Sequence, residues 1–163
     1  MPNPGQPTIS EGASGAVVRR LQRALKRTGP NALVLDGVFG PKTLAMVKDF
    51  QQGAGLVADG IVGPATWAAL PDGGPMPLLK EGSHGAVVVR LQQVLAELAQ
   101  QDGVSPGPAD GIFGPKTTAA VKAFQAFDGL PQDGVVGDRT WFGSLHAAGA
   151  TLESVVGRQF IQP

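Results

Sequence analysis

Asp36-Gly37-Val38-Phe39-Gly40-Pro41-Lys42-Thr43 is one of four copies of a single phrase, Asp-Gly-x-x-Gly-x-x-Thr. The others run from Asp59 to Thr66, from Asp110 to Thr117 and from Asp133 to Thr140. The first and third copies share Phe39/Phe113, Pro41/Pro115 and Lys42/Lys116, while the second and fourth continue into Trp67 and Trp141. The copies therefore alternate in type, and the chain is a tandem duplication.

Each phrase reads as a turn that launches a helix. Asp-Gly suits a tight turn because glycine accepts positive φ and aspartate bonds its own nearby backbone. The second glycine precedes Pro41, Pro64 or Pro115, and proline is favoured at the first helical position, where its missing N–H costs nothing. Asp138 takes that place in the fourth copy and suits the positive end of the helix dipole. The threonine that follows falls in the first turn, within reach of local backbone groups.

Outward from these turns, the chain divides into a first module at 8–70, a linker at 71–77, a second module at 78–146 and a tail at 147–163. The first helix begins near Gly15–Ala16, with Val18, Leu21 and Leu25 on one apolar stripe, and stops around Thr28-Gly29-Pro30. A second helix starts at Pro41, buries Thr43, Val47 and Phe50, and ends at Gln52-Gly53 with a glycine cap. A short third helix runs from Pro64 to about Leu70. Gly85 to Leu95 repeats Gly15 to Leu25 with a shift of 70, which becomes 74 by Asp110. The extra residues predict a longer first helix and a looser loop within Glu97 to Pro108. The linker is stiffened by proline and bends at Gly73-Gly74. Leu152, Val155, Val156 and Phe160 give the tail an apolar side that either caps the second module or docks a protein partner.

Composition narrows the function. Thirteen basic and 13 acidic residues cancel, so no net field draws the chain to nucleic acid or an anionic membrane. No stretch is long enough to span a bilayer. Arg19, Arg20, Arg23, Lys26 and Arg27 crowd the first helix and read as a solvated face rather than an anion site. With no cysteine, disulfides, thiolate metal sites and cysteine nucleophiles are excluded. His84 and His146 lie in different modules and do not make a zinc site, which needs a third ligand. Each Asp-Gly turn offers one carboxylate, too few for calcium. Asp36 with Asp59, or Asp110 with Asp133, does not read as a hydrolase pair, because an acid and a base need different environments. No cofactor, metal or catalytic set is expected, and the chain reads as a non-enzyme.

The order of landmarks resembles the bacterial peptidoglycan-binding domain of the three-helix type. The first module carries Gly12, Gly15, Val18, Leu21-Gln22, Asp36 to Thr43, Val47, Phe50-Gln51, Gly55-Leu56, Asp59 to Trp67 and Leu70. The second carries Gly82, Gly85, Val88, Leu91-Gln92, Asp110 to Thr117, Val121, Phe124-Gln125, Gly129-Leu130 and Asp133 to Trp141. The resemblance spans roughly Glu11 to Leu145. It implies an all-α fold of two tandem compact three-helix modules with loops rich in Asp-Gly turns, and a ligand in cell-wall peptidoglycan. The same small fold is similar to the prodomains of matrix metalloproteases, but those inhibit through a cysteine that this chain lacks.

From that resemblance two ligand patches are expected: Asp36, Phe39, Gln51 and Asp59 in the first module, and Asp110, Phe113, Gln125 and Asp133 in the second. Phe39 and Phe113 lie in turns, where a side chain stays partly exposed, and are expected to offer aromatic faces. Trp67 and Trp141, at helical spacing from leucines, are expected in the core. Gln51 and Gln125 are expected to satisfy loop backbone and to reach a groove edge. The implied place is extracytoplasmic, at the wall or secreted. Met1 to Gly5 has neither the basic nor the apolar region of a signal sequence, so the export route is left open. An alternative role is a structural or targeting adaptor in a larger assembly, such as a phage tail, an injection device or a wall-hydrolase system.

Overall fold

The computed structural model describes residues 3–29, 31–145 and 150–162. Pro30, His146 and the start of the tail at 147–149 lie outside the described residues, so the readings that fall on them are not taken further. The chain forms two compact units, Met1–Pro75 with Ile161–Pro163 and Met76–Phe160.

The fold is all-α, and among the described residues the only β pairings are isolated bridges. The first unit holds α1 (Ala16–Lys26), α2 (Pro41–Gly53) and α3 (Pro64–Ala69). The second holds α4 (Ala86–Asp102), α5 (Pro115–Phe127), α6 (Asp138–Trp141) and α7 (Leu152–Val156). Prolines open α2, α3 and α5, as the turn phrase predicts. The extra residues of the second unit do lengthen α4, which closes on Gly103 in the left-handed conformation.

In the first unit the stripe Val18, Leu21 and Leu25 packs with Ile9, Val47, Val62, Trp67 and Leu70 in one core. Matching bridges tie the arm before the first helix to the turns: Ile9 to Val62 and Ser14 to Val38, then Leu79 to Val136 and His84 to Ile112. Each tryptophan locks the same arm. Trp67 Nε1 donates to the Pro7 carbonyl at 2.9 Å and Trp141 Nε1 to that of Pro77 at 2.9 Å.

Several sequence expectations need correction. On α2 the residue buried one turn beyond Val47 is Gln51, while Phe50 is only half-buried. The helix ends at Gly53 as expected, but the glycine that caps it is Gly55. Its φ is +74°, its N–H donates to the Gln52 carbonyl at 3.2 Å, and the next N–H, of Leu56, reaches the Gln51 carbonyl at 2.8 Å. Those two bonds form a Schellman closure, and Gly129-Leu130 repeats it after α5.

Apart from Arg19, which is exposed, the basic cluster of α1 is not a solvated face. Arg23 and Arg27 are buried. Arg23 Nε donates to the Gly73 carbonyl at 2.7 Å, and one Arg27 nitrogen serves the Asp72 and Gly74 carbonyls at 2.7 and 2.6 Å. Arg20 pairs with Asp72 at 3.3 Å and also donates to Asn3 Oδ1 at 3.0 Å. Lys26 donates to the Leu33 carbonyl at 2.7 Å, and its burial lowers its pKa. Guanidinium groups suit this task because they bind several acceptors in a fixed fork.

Residues 71–75 are therefore strapped onto α1 rather than free to bend, and Asn3 joins them through Gly73 N–H at 2.9 Å. The corresponding face of α4 is covered by the tail. Arg90, the counterpart of Arg20, donates to the carbonyls of Val155 and Val156 at 2.8 and 3.3 Å, while Leu152 and Val156 are buried. Part of the apolar side of the tail is thus used within its own unit, as the capping reading expects, while Val155 and Phe160 are half-buried.

The two glycines at the end of α2 predict opposite signs. Gly53 has open space around its Cβ position and no positive φ, so Gly53→Ala should raise stability by about 0.5–1 kcal/mol. Gly55 is equally open but left-handed, so Gly55→Ala should lower it by roughly 1–2 kcal/mol. Denaturant unfolding of the two variants measures both, and a gain at Gly55 would contradict the closure described.

Candidate functional site

A buried glutamine holds every Asp-Gly turn. Gln22 on α1 accepts the Gly37 N–H at 2.9 Å through Oε1, and its Nε2 donates to Asp36 Oδ1 at 2.9 Å, the Val38 carbonyl at 3.2 Å and Thr43 Oγ1 at 3.3 Å. Gln51 on α2 repeats the set with Gly60, Asp59, Ile61 and Thr66. Gln92 does so with Gly111, Asp110, Ile112 and Thr117, and Gln125 with Gly134, Asp133, Val135 and Thr140. Each aspartate also accepts, through the same Oδ1, the N–H two residues on at 2.9 Å. An amide carries both an acceptor and two donors, which no other buried neutral side chain except asparagine offers.

This geometry reassigns the expected ligand residues. Gln51 and Gln125 are buried and hold the turns from inside, as expected for loop backbone, but they do not reach a groove edge. Gln22 and Gln92 play the same part and were missed as site residues, although Leu-Gln at 21–22 and 91–92 marks them in the sequence. Phe39 and Phe113 are each only 1 % exposed. Their backbones pair with the arm, Phe39 through Gly12 and Ala13 and Phe113 through Gly82 and Ser83, which turns the rings inward. They belong to the core with Trp67 and Trp141 and offer no aromatic face.

Asp36, Asp59, Asp110 and Asp133 remain exposed, each with Oδ1 engaged. The Gln22 amide and then the Val38 N–H hold Asp36 below the ordinary carboxylate range. For Asp110 the Ile112 N–H leads and Gln92 follows, and for Asp133 the Val135 N–H leads and Gln125 follows. Beside these carboxylates three of the turns present an apolar side chain: Val38, Ile61 and Ile112 follow the Asp-Gly pairs and are exposed, while Val135 is half-buried.

The concave surface lies beside the turns. In the second unit the arm at Pro77–Lys80, the bend at 81–84 and Val87 line a shallow, open groove of about 490 Å³. The bend is fixed by Ser83, whose hydroxyl accepts the Lys80 N–H at 3.0 Å and whose N–H returns to the Lys80 carbonyl at 2.9 Å. A second hollow, beside Phe124 and Phe127, has room for about 10 Å³, no more than a single water. Among the described residues no three of histidine, aspartate and glutamate gather closely enough to hold a metal ion.

Two predictions follow from the turn networks. Phe39→Ala should cost about 3–5 kcal/mol, as much as Trp67→Ala, and Gln51→Ala about 1–3 kcal/mol for each buried partner it orphans. Chemical denaturation of the three variants tests this, and a Phe39→Ala unfolding midpoint equal to wild type would return the ring to the surface. The second concerns acid. A carboxylate with a depressed folded pKa stabilises above its unfolded value, about 3.9, and loses that contribution as pH falls through the folded value. Melting temperature should therefore fall below about pH 4, and replacing Asp36, Asp110 and Asp133 by Asn should flatten that fall. An unchanged acid limb in the triple variant would exclude these carboxylates as its source.

The model of the peptidoglycan binding domain family matches residues 14–70 and again 84–141. An N-acetylmuramoyl-L-alanine amidase, CwlL of Bacillus licheniformis, is 35% identical over 156 residues, covering 81% of this chain and 43% of that protein. An uncharacterized protein of Kitasatospora aureofaciens is 49% identical over 65 residues, covering 40% of this chain and 52% of that protein. The chain thus spans about half the length of these relatives. Among solved structures, the Burkholderia AP3 phage endolysin is 36% identical with a TM-score of 0.39, covering 58% of this chain and 33% of that one. With both repeats matched over most of the chain, this protein belongs to the peptidoglycan binding domain family and carries that domain twice.

Proposed function

We propose that this chain binds bacterial cell-wall peptidoglycan without cleaving it, through both of its modules. The observation that carries the proposal is the twofold family match together with a complete set of turn networks in each unit. The networks keep both modules folded with the same turns, so each presents the frame that the family match describes. Two modest sites on one chain gain avidity when both reach the same polymer. The non-catalytic part of the proposal rests on residue chemistry: the sequence has no cysteine to act as a nucleophile, and its two histidines, His84 and His146, lie in different modules. The place of action is then extracytoplasmic, at the wall.

A second reading is favoured by the likeness to the amidase, in which the matched stretch occupies 43% of the length. There the two modules serve as the targeting part of a wall-hydrolase system, holding a catalytic partner near its polymer. Both readings require wall binding, and they differ in whether a hydrolase acts beside it.

Sedimentation with purified insoluble wall tests the proposal. The chain should pellet with wall at modest salt, well above a control protein of similar size and charge. Equal amounts in the two pellets would refute it. The same samples should release no soluble wall fragments, and release by the pure chain would overturn the non-catalytic reading.

A further inference from the structure

The two modules share a frame but not a groove. Shifting by 70 residues aligns the arm and bend of the first unit, 7–17, with 77–87. Pro7/Pro77, Glu11/Glu81, Gly12/Gly82 and Val17/Val87 are kept, and the bridges and tryptophan anchors coincide. Three outward positions differ in chemistry: Thr8 becomes Leu78, Ser10 becomes Lys80 and Ser14 becomes His84. Since the backbone pairings are the same in both units, Leu78, Lys80 and His84 are not needed to build the arm.

Their exposure agrees with that. Leu78 is 63 % exposed and Ile112, opposite His84, is 61 % exposed, while Lys80 and His84 are exposed as well. Among the described residues neither the Lys80 ammonium nor the His84 imidazole has a hydrogen-bond or ion-pair partner in the protein. The groove of the second unit therefore gathers a cation, an imidazole and apolar walls, with Glu81 at the bend. The first unit offers hydroxyl groups at the corresponding places.

A glycan strand presents mainly hydroxyl and amide groups, whereas the peptide stems of peptidoglycan carry carboxylates, an amine or amide and small alkyl side chains. We propose that the second module's groove binds the peptide stem, with Lys80 and His84 on a stem carboxylate and Leu78 against its alkyl groups, and that the corresponding arm of the first module does not. A charge-assisted hydrogen bond inside a part-apolar groove is the contact that distinguishes the two ligands. This assignment rests on the wall-binding reading and refines it, by giving the two modules different parts of one polymer.

The test uses the full chain, isotopically labelled, and three probes: a synthetic stem peptide with a free terminal carboxylate, its terminal amide, and an oligosaccharide of N-acetylglucosamine, which carries no carboxylate. The stem peptide should shift amide resonances at 77–87 and leave 7–17 unmoved. The double variant Lys80→Ser with His84→Ser, which installs the first unit's residues, should bind the stem peptide about tenfold more weakly and melt like wild type. The terminal amide should bind several-fold more weakly than the acid, and the carboxylate-free oligosaccharide should not distinguish wild type from variant. Equal stem affinity in wild type and variant, or shifts centred on 7–17, would overturn the assignment. Wild type that pellets with wall but ignores the stem peptide would sink this inference and leave wall binding standing. Wild type that binds neither would sink both.

Discussion

The buried glutamine amide is the interaction on which each module depends. A turn that reverses the chain and starts a helix leaves backbone groups without partners, and burying them unpaired costs more than the turn gains. One amide answers the glycine N–H, the carbonyl after it, the aspartate and the helix-starting threonine together. Because the glutamine sits on the preceding helix, the contact also fixes where the next helix begins. The short helices α3 and α6 would not persist in isolation; they exist because a neighbouring helix holds their first turn.

That arrangement explains why so glycine-rich a chain builds compact units. The glycines are spent at turns whose shape is set from inside, and the aromatic rings of the turns are drawn into the core. The outer surface of each unit is left with exposed carboxylates, apolar turn tips and the arm before the first helix. Arginines complete the frame by tying chain segments with few side chains of their own to α1 and α4. A frame defined by backbone pairing and buried amides can tolerate change on its outward positions, and the arm shows such change between the units.

The duplication, the helix starts at proline, the apolar stripe of α1, the buried tryptophans and the longer α4 were legible in the sequence, because they follow from local rules: glycine and proline dihedrals, helical periodicity and insertion length. The family was legible for the same reason, since its landmarks are the residues those rules require. The polar positions were not. Gln51 and Phe50 are neighbours, and periodicity favours burying the phenylalanine, but only the approach of the next turn shows that the amide goes inside.

The sequence by itself determined that there are two helical modules and where their turns fall, because turn and helix signals act over a few residues. Tertiary structure alone decided which side of those turns meets solvent. Phe39 and Phe113 turn inward because their backbones pair with an arm more than twenty residues away. Arg23 and Arg27 are buried because distant carbonyls come to them, and the tail is covered because α4 offers it a face. At these positions exposure depends on contacts between residues far apart in the chain, which the local pattern does not encode.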